Sequence, residues 1–214
     1  MVASMIAIVI VVAAVAGYLA YRRLSIPEVA PNPDPNHTHA DVAVWIDGKQ
    51  LDFSDQQYMS GSSADTATHP TGGLRKFLHL HDGNGHVIHR HKPGFTLRQF
   101  FESLGAKFRV QPGGLCIDFP QIDEVCQQEA EHKNWVMIVN GEQSHLRPEY
   151  VFKDGDKILI FFEDEPGSTD EKASLYWKEM TDDACRYSRT CPRRGPPPIE
   201  NCVADPEVPC VIEE

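Results

Sequence analysis

Residues 77–91 read FLHLHDGNGHVIHRH and contain five of the ten histidines in the chain. Apolar and imidazole side chains alternate on both sides of residues 82–85, and the Asn84-Gly85 pair within them favours a tight turn with positive φ. The pattern therefore predicts a β-hairpin, around which we arrange the rest of the chain.

The register of this hairpin decides where its histidines lie. With a three-residue loop at residues 83–85, His79 lies opposite His89, and because side chains alternate with period two, His81 and His91 share that face. With a two-residue loop, the two histidine pairs fall on opposite faces. The sequence favours neither register.

A second hairpin is predicted before the first, in residues 37–53, which read HTHADVAVWIDGKQLDF. Apolar residues alternate up to the turn at Asp47-Gly48, and His37 and His39 form a third H-x-H pair at the entrance of its first strand.

The chain after the central hairpin predicts one helix and several strands. Thr96 is placed to cap a helix that Gly105 ends, because the apolar residues between them recur at helical spacing. Short strands follow at residues 108–110, 115–119 and 135–139, and the apolar run at residues 157–162 is typical of a central strand buried on both faces. The fold class is thus α+β, a mixed sheet with one main helix.

Three short motifs resemble the β-grasp modules related to the C-terminal domain of transcobalamin. They are the Thr-Leu helix start at residues 96–97, Trp135 with Val-Asn-Gly at residues 139–141, and Asp-Gly-Asp at residues 154–156. The resemblance covers residues 76–163 and implies a β-grasp sheet there. The whole chain also resembles a group of membrane-anchored, histidine-rich microbial proteins.

The histidine pattern indicates a transition-metal site. Two histidines at i and i+2 of a strand project in the same direction, and copper and zinc both take imidazole nitrogen. The Irving-Williams order favours copper wherever copper is present. We expect Asp41 or Asp82 to accept a hydrogen bond from an imidazole N–H. The candidate ligands are His79, His81, His89, His91, His37, His39 and, at the turn, His86.

Two other interpretations of these histidines stay open: a solvated surface that binds nothing in particular, or a sensor that charges on acidification. The isolated His69, His132 and His145 are expected to be ordinary residues outside the site.

The N-terminal segment predicts attachment to a lipid bilayer. Residues 1–21 are apolar and uncharged, which is the length that crosses a bilayer core, so we assign residues 1–23 to an anchor and 24–36 to a proline-rich linker. Cleavage after the small residues 14–16 is the alternative, but no positive segment precedes them. The net charge of −11 excludes nucleic acid as a partner.

The cysteines indicate an oxidising compartment. Six cysteines occur without a C-x-x-C pair, which favours structural disulfides over redox catalysis. Arg22 and Arg23 after the anchor would keep the body cytoplasmic under the positive-inside rule. We give the cysteines more weight and predict a single-pass cell-membrane protein with an extracytoplasmic domain. The disulfide candidates are Cys116, Cys126, Cys185, Cys191, Cys202 and Cys210.

After the linker, the chain is organised as a domain at residues 37–163, followed by an acidic segment and a cysteine- and proline-rich tail at residues 164–214. Two functions are compatible with this organisation. The first is metal storage, delivery or sensing. The second is a non-catalytic accessory subunit, which docks into a larger membrane complex by its span and its tail. A metal enzyme, covered by the polar loop at residues 54–73, would need an open coordination position, and the sequence carries no catalytic motif that supports one.

Overall fold

The computed structural model describes residues 2–25, 29–60, 72–128, 134–163 and 169–198. Its first element is the apolar helix α1 (Val2–Ser25), in which residues 8–25 are long and apolar enough to cross a bilayer and are fully exposed. An N-terminal signal sequence has the same properties. The other helices are α2 (Gly72–Arg75), α3 (Leu97–Ser103), α4 (Thr169–Glu179) and α5 (Ala184–Tyr187), with short 3-10 turns at Gln56–Tyr58 and Pro192–Arg194.

Two sheets make up the β structure of the described residues. A mixed sheet has the spatial order β3-β4-β1-β10-β8-β9, with β2 added to β1, and a small antiparallel sheet has the order β5-β6-β7. In chain order the strands are β1 (Thr38–Ile46), β2 (Lys49–Gln50), β3 (Leu78–His79), β4 (Val87–Arg90), β5 (Lys107–Gln111), β6 (Gly114–Asp118), β7 (Val125–Cys126), β8 (Val136–Val139), β9 (Glu142–His145) and β10 (Asp156–Phe162).

The central strands of the large sheet are β1 and β10, which run parallel from Ala40 opposite Asp156 to Ile46 opposite Phe162. Their outer neighbours, β4 and β8, are antiparallel to them. The central position predicted for residues 157–162 is confirmed. The hairpin predicted in residues 37–53 is confirmed, because β2 pairs antiparallel with β1 across the turn at Asp47-Gly48, where φ is 49° and 77°. It does not precede the sheet, however, since β1 lies at its centre and β2 has only two residues. A strand that is apolar on both faces needs cover on both, which an isolated hairpin cannot provide.

One face of the sheet packs on α3. Thr96 caps this helix as predicted, and its side chain forms a capping box with Gln99. Phe100 and Phe101 bury their rings in one apolar cluster with Val42 and Ile160 of the central strands. This face holds the main core.

The opposite face packs on the C-terminal segment. Tyr176 and Met180, in and just after α4, bury their side chains with Leu159 and Phe161 of β10, and Trp45 stacks on Tyr176 with ring centroids 4.3 Å apart. The sequence of the acidic segment also predicts a short helix around residues 172–180, which α4 confirms, whereas α5 was not expected. The segment from Ala173 to Tyr187 therefore packs on the chain's own sheet, whereas residues 192–197 are exposed.

The Sγ atoms of two cysteine pairs lie at disulfide distance, Cys116 with Cys126 at 2.08 Å and Cys185 with Cys191 at 2.15 Å. The first pair joins directly opposed positions of β6 and β7, and the second closes the short segment that contains α5. Cys202 and Cys210 lie outside the described residues.

The turn of the central hairpin is not the one its Asn-Gly pair predicts. Positive φ occurs at Asp82 (60°) and Gly83 (67°), while the Asn84 side chain accepts hydrogen bonds from the backbone N–H groups of His86 and Val87. Gly85 serves a different purpose, because a Cβ there would lie 2.6 Å from the backbone of Phe53 and Ser54. The glycine allows close approach of two chain segments rather than a left-handed turn.

Candidate metal centre

The strand registers place three histidines in a row across the sheet. His79 of β3 lies opposite His89 of β4, and His89 lies opposite His39 of β1. This is the register that the three-residue loop predicts. His37, His81 and His91 lie two residues from members of this row, so the period of the strand turns them to the same face.

Six histidines consequently form one buried group, which we call the six-histidine cluster. None of their side chains is more than 6% exposed, and the centroids of neighbouring rings lie between 3.9 and 5.9 Å apart. The interpretation as a solvated histidine-rich surface is therefore wrong for these residues. The cluster consists of His37, His39, His79, His81, His89 and His91.

Three members of the cluster can hold a metal ion. His37, His39 and His89 each offer a ligand atom, and these atoms all lie within 4.8 Å of one another. Two nitrogens that bind one tetrahedral ion at 2.0–2.1 Å are about 3.3 Å apart. His81 Nε2 lies at hydrogen-bond distance, 3.1 Å, from His89 Nδ1, which joins the triad to a fourth member of the cluster.

Hydrogen bonds fix the orientation of His79 and His81. The Nδ1 atom of His79 lies 2.8 Å from the carbonyl oxygen of Arg75, and that of His81 lies 2.6 Å from the Asp82 carboxylate. Both partners are acceptors, so Nδ1 carries the proton and donates it, while Nε2 keeps its lone pair for a ligand. This is how proteins usually orient metal-binding histidines. Asp82 therefore has the role that the sequence suggested.

His39 is oriented by a longer relay. Its Nδ1 atom lies 2.7 Å from the hydroxyl of Ser188, and Ser188 in turn donates a hydrogen bond to the Asp154 carboxylate. Because the hydroxyl proton goes to Asp154, His39 must donate its own Nδ1 proton to Ser188. Asp154 also accepts the backbone N–H of His39 at 3.0 Å, so one carboxylate holds both the strand and the ring.

Residues 184–191, which we call the cap segment, cover the cluster from the side away from the sheet. The Tyr187 ring lies 5.0 Å from the His89 ring and 5.6 Å from the His39 ring, centroid to centroid. Its hydroxyl accepts a hydrogen bond from Asn84 in the turn of the hairpin. Sequence reasoning missed Tyr187 and Ser188 because nothing near them in the chain marks them as neighbours of histidines.

Asp41 does not bind an imidazole, which corrects one of the two expectations for carboxylates near the site. Its buried side chain accepts hydrogen bonds from the Thr181 hydroxyl at 2.7 Å and from the backbone N–H groups of Asp183 and Ala184 at 2.8 and 3.0 Å. Burial raises the pKa of Asp41, and these hydrogen bonds oppose that rise. Asp41 thus fastens the start of the cap segment to β1.

The remaining candidate ligand, His86, is not brought into the cluster. It is half-buried, and the ring contacts of the cluster in the described residues do not include it. His86 lies three positions before His89. Side chains an odd number of residues apart in extended chain point to opposite faces, so His86 faces away from the site. His145 is exposed on the edge strand β9, and His69 and His132 lie outside the described residues.

A second group with suitable spacing, formed by Cys116, Glu124 and Cys126, also lies within 4.8 Å. Its two sulfur atoms are at disulfide distance from each other. A disulfide has no thiolate to offer, so we do not regard this group as a metal centre.

Comparison with known protein families, with curated proteins and with solved structures finds no match to this chain.

Proposed function

We propose that this chain is a membrane-anchored, extracytoplasmic protein that binds copper or zinc in the six-histidine cluster, for storage, delivery or sensing of the metal. The observation that carries the proposal is the convergence of six buried imidazoles, of which His39, His79 and His81 have Nδ1 committed to an acceptor. In this tautomer the lone pair of each ring is on Nε2, the atom that binds a metal when Nδ1 donates to an acceptor.

The burial of the cluster favours metal binding over a structural or pH-sensing role. Polar groups in an apolar interior cost free energy unless they are fully bonded, and apolar side chains would fill the same space without that cost. Charging six adjacent buried rings on acidification would be more costly still, because each positive ring disfavours its neighbours. A bound cation turns the same lone pairs into a stabilising interaction.

The chemistry of the donors suggests the metal. The ligands are imidazole nitrogens, and the described cysteines pair at disulfide distance, so a soft thiolate site is not indicated. Nitrogen donors suit Cu(II) and Zn(II), and copper binds more tightly when both are available.

Two features support the proposed location outside the cytoplasm. The helix α1 has the length and composition of a membrane span, and two cysteine pairs at disulfide distance are typical of an oxidising compartment. Limited proteolysis of intact cells that left the body of the chain uncut would contradict this location.

We also propose that the large sheet is related to the β-grasp modules that resemble the C-terminal domain of transcobalamin, and the order of its strands supports this. A parallel central pair, β1 and β10, with antiparallel neighbours β4 and β8 and the helix α3 on one face is the arrangement expected of a β-grasp sheet, as in the transcobalamin-related modules. In this proposal α3 covers the usual core, and the histidines occupy the opposite face.

The accessory-subunit function is our second hypothesis. Its support in the sequence is the proline-rich tail from residue 194 onward, of which residues 194–197 are exposed, whereas the preceding segment buries Tyr176 and Tyr187 on the chain's own sheet. The metal-binding function therefore comes first.

The proposal predicts that ligand substitution removes metal binding. His39→Gln combined with His89→Gln should weaken Zn²⁺ or Cu²⁺ binding at the triad of His37, His39 and His89 by at least about 100-fold, because outer-shell changes alone cost 10–100-fold. Competition against a chromogenic chelator, with the purified chain in detergent, measures this. The matched control is His145→Gln, an exposed histidine that should leave the affinity unchanged. Wild-type protein that binds neither ion more tightly than this double variant would overturn the proposal.

Ser188→Ala tests the relay to Asp154. This change removes the acceptor for His39 Nδ1 without removing a ligand, so we expect the metal affinity to fall about 10- to 100-fold. Ser144→Ala on β9 is the control, since that serine bonds only the Met137 carbonyl among the described residues. Equal affinities of the two serine variants would show that the relay does not support the site.

A further inference from the structure

We infer that the six-histidine cluster is a binuclear centre, which holds two metal ions side by side under the cap segment. This rests on the proposed function and goes beyond it, because the triad described above accounts for one ion. The first ion is bound by His37, His39 and His89. The second is bound by His79, His81 and His91.

The number of ligands exceeds what one ion uses. A zinc ion in a protein takes four ligands when its site is closed and three protein ligands when it is open. Six imidazoles in one continuous group are enough for two open sites with three protein ligands each. At each site the fourth coordination position of the ion is then available to water, to a bridging group or to a ligand from a partner.

Ring spacings compatible with one ion occur among all three members of the first set and, in the second set, between His79 and each of the other two. A ring centroid lies about 3.2 Å from a metal bound at 2.0–2.1 Å, so two imidazoles on one ion have centroids about 4.5–5.3 Å apart, and more at wider angles. In the first set the separations are 4.3, 4.7 and 5.8 Å. In the second, His79 lies 4.8 Å from His91 and 5.8 Å from His81.

The two sets are neighbours within one buried space. The His37 ring lies 4.0 Å from the His91 ring, and the His81 ring lies 3.9 Å from the His89 ring, each pair joining one set to the other. Ions bound in both sets are therefore close together, as in two-metal sites, where the metals lie about 3.5–4 Å apart.

Each set also has its own carboxylate. Asp154 is connected through Ser188 to His39 of the first set, and Asp82 accepts the Nδ1 proton of His81 in the second. A negative charge behind a ligand raises its basicity and offsets part of the charge of the ion. One carboxylate for each set of three imidazoles is the pattern of two metal sites rather than of one site with spare histidines.

The test is the metal content of the purified full chain in detergent, after saturation with Zn²⁺ and removal of weakly held ions. We expect two ions per wild-type chain, one in His37→Gln, one in His91→Gln and two in the control His145→Gln. One ion per wild-type chain would overturn the binuclear centre but leave the proposed function intact. No bound ion would overturn both.

Loading with Cu²⁺ gives a readout that does not depend on any variant. Two cupric ions in adjacent sets couple magnetically, so the electron paramagnetic resonance spectrum should show dipolar splitting and a half-field transition, or a loss of intensity if a group bridges the ions. A doubly loaded chain with the spectrum of isolated cupric ions would place the ions apart and would overturn the inference.

Discussion

Zinc added to the metal-free chain in detergent is expected to raise Tm by about 8–16 °C when the free ion exceeds Kd about 1,000-fold. At that concentration one site stabilises the fold by about 4.1 kcal/mol, and each kcal/mol shifts Tm by about 2–4 °C in a domain of 150–250 residues. The physical reason is that the ligands come from three separate stretches of chain, around residues 38, 80 and 90, which meet only in the folded sheet. Differential scanning calorimetry with and without a chelator measures the shift.

The controls for this experiment separate the cluster from isolated histidine pairs. The unfolded chain retains its H-x-H pairs, and any binding to them reduces the shift. His39→Gln with His89→Gln should remove the part of the shift contributed by the set of His37, His39 and His89, whereas His145→Gln should keep the full shift. A shift of the same size in both variants would mean that zinc stabilises the protein from somewhere other than that set.

Asp41→Ala is expected to destabilise the fold by about 3 kcal/mol. The substitution leaves three donors without their acceptor, namely the Thr181 hydroxyl and the backbone N–H groups of Asp183 and Ala184. A buried donor left unsatisfied costs about 1–3 kcal/mol, and those that reach water cost less. Chemical denaturation of the metal-free chain gives the total loss, and hydrogen exchange at the amide of Ala184 shows whether the cap segment is released.

Asp118→Ala provides the comparison. That aspartate pairs with Lys107 at the surface, 3.0 Å apart and partly exposed, so its loss should cost less than about 1 kcal/mol. If Asp41→Ala costs no more than this control and Ala184 remains protected, Asp41 does not fasten the cap segment.

Much of the cluster could be predicted from local sequence. The alternation of a strand puts H-x-H pairs on one face whatever the rest of the fold does, and the apolar run in β10 marks it as a central strand. Neither pattern specifies partners. The parallel pairing of β1 with β10 depends on distant parts of the chain that cover both faces of β1. The hairpin predicted from residues 37–53 alone contains no information about that cover.

The rest of the site depends on contacts between residues far apart in the chain. Ser188 and His39 are 149 residues apart, and neither has a neighbour in sequence that indicates the other. Asp41 illustrates the same limit, since its position beside the histidines suggested an imidazole partner, whereas the backbone of a distant helix provides its donors. In the turn, the Asn84-Gly85 pair predicted positive φ, but glycine is required at position 85 because the backbone of Phe53 lies too close for a Cβ atom.

The parallel pairing of β1 with β10 also determines when the six-histidine cluster can form during synthesis and folding. The strand that carries His39 is held in place by Asp154, 115 residues later, and the cap segment follows later still. A chain that is partly synthesised or partly across a membrane has its histidine pairs but not the cluster that they form. The proposed metal site is therefore complete only after the chain up to Ser188 has folded, on whichever side of the membrane that occurs.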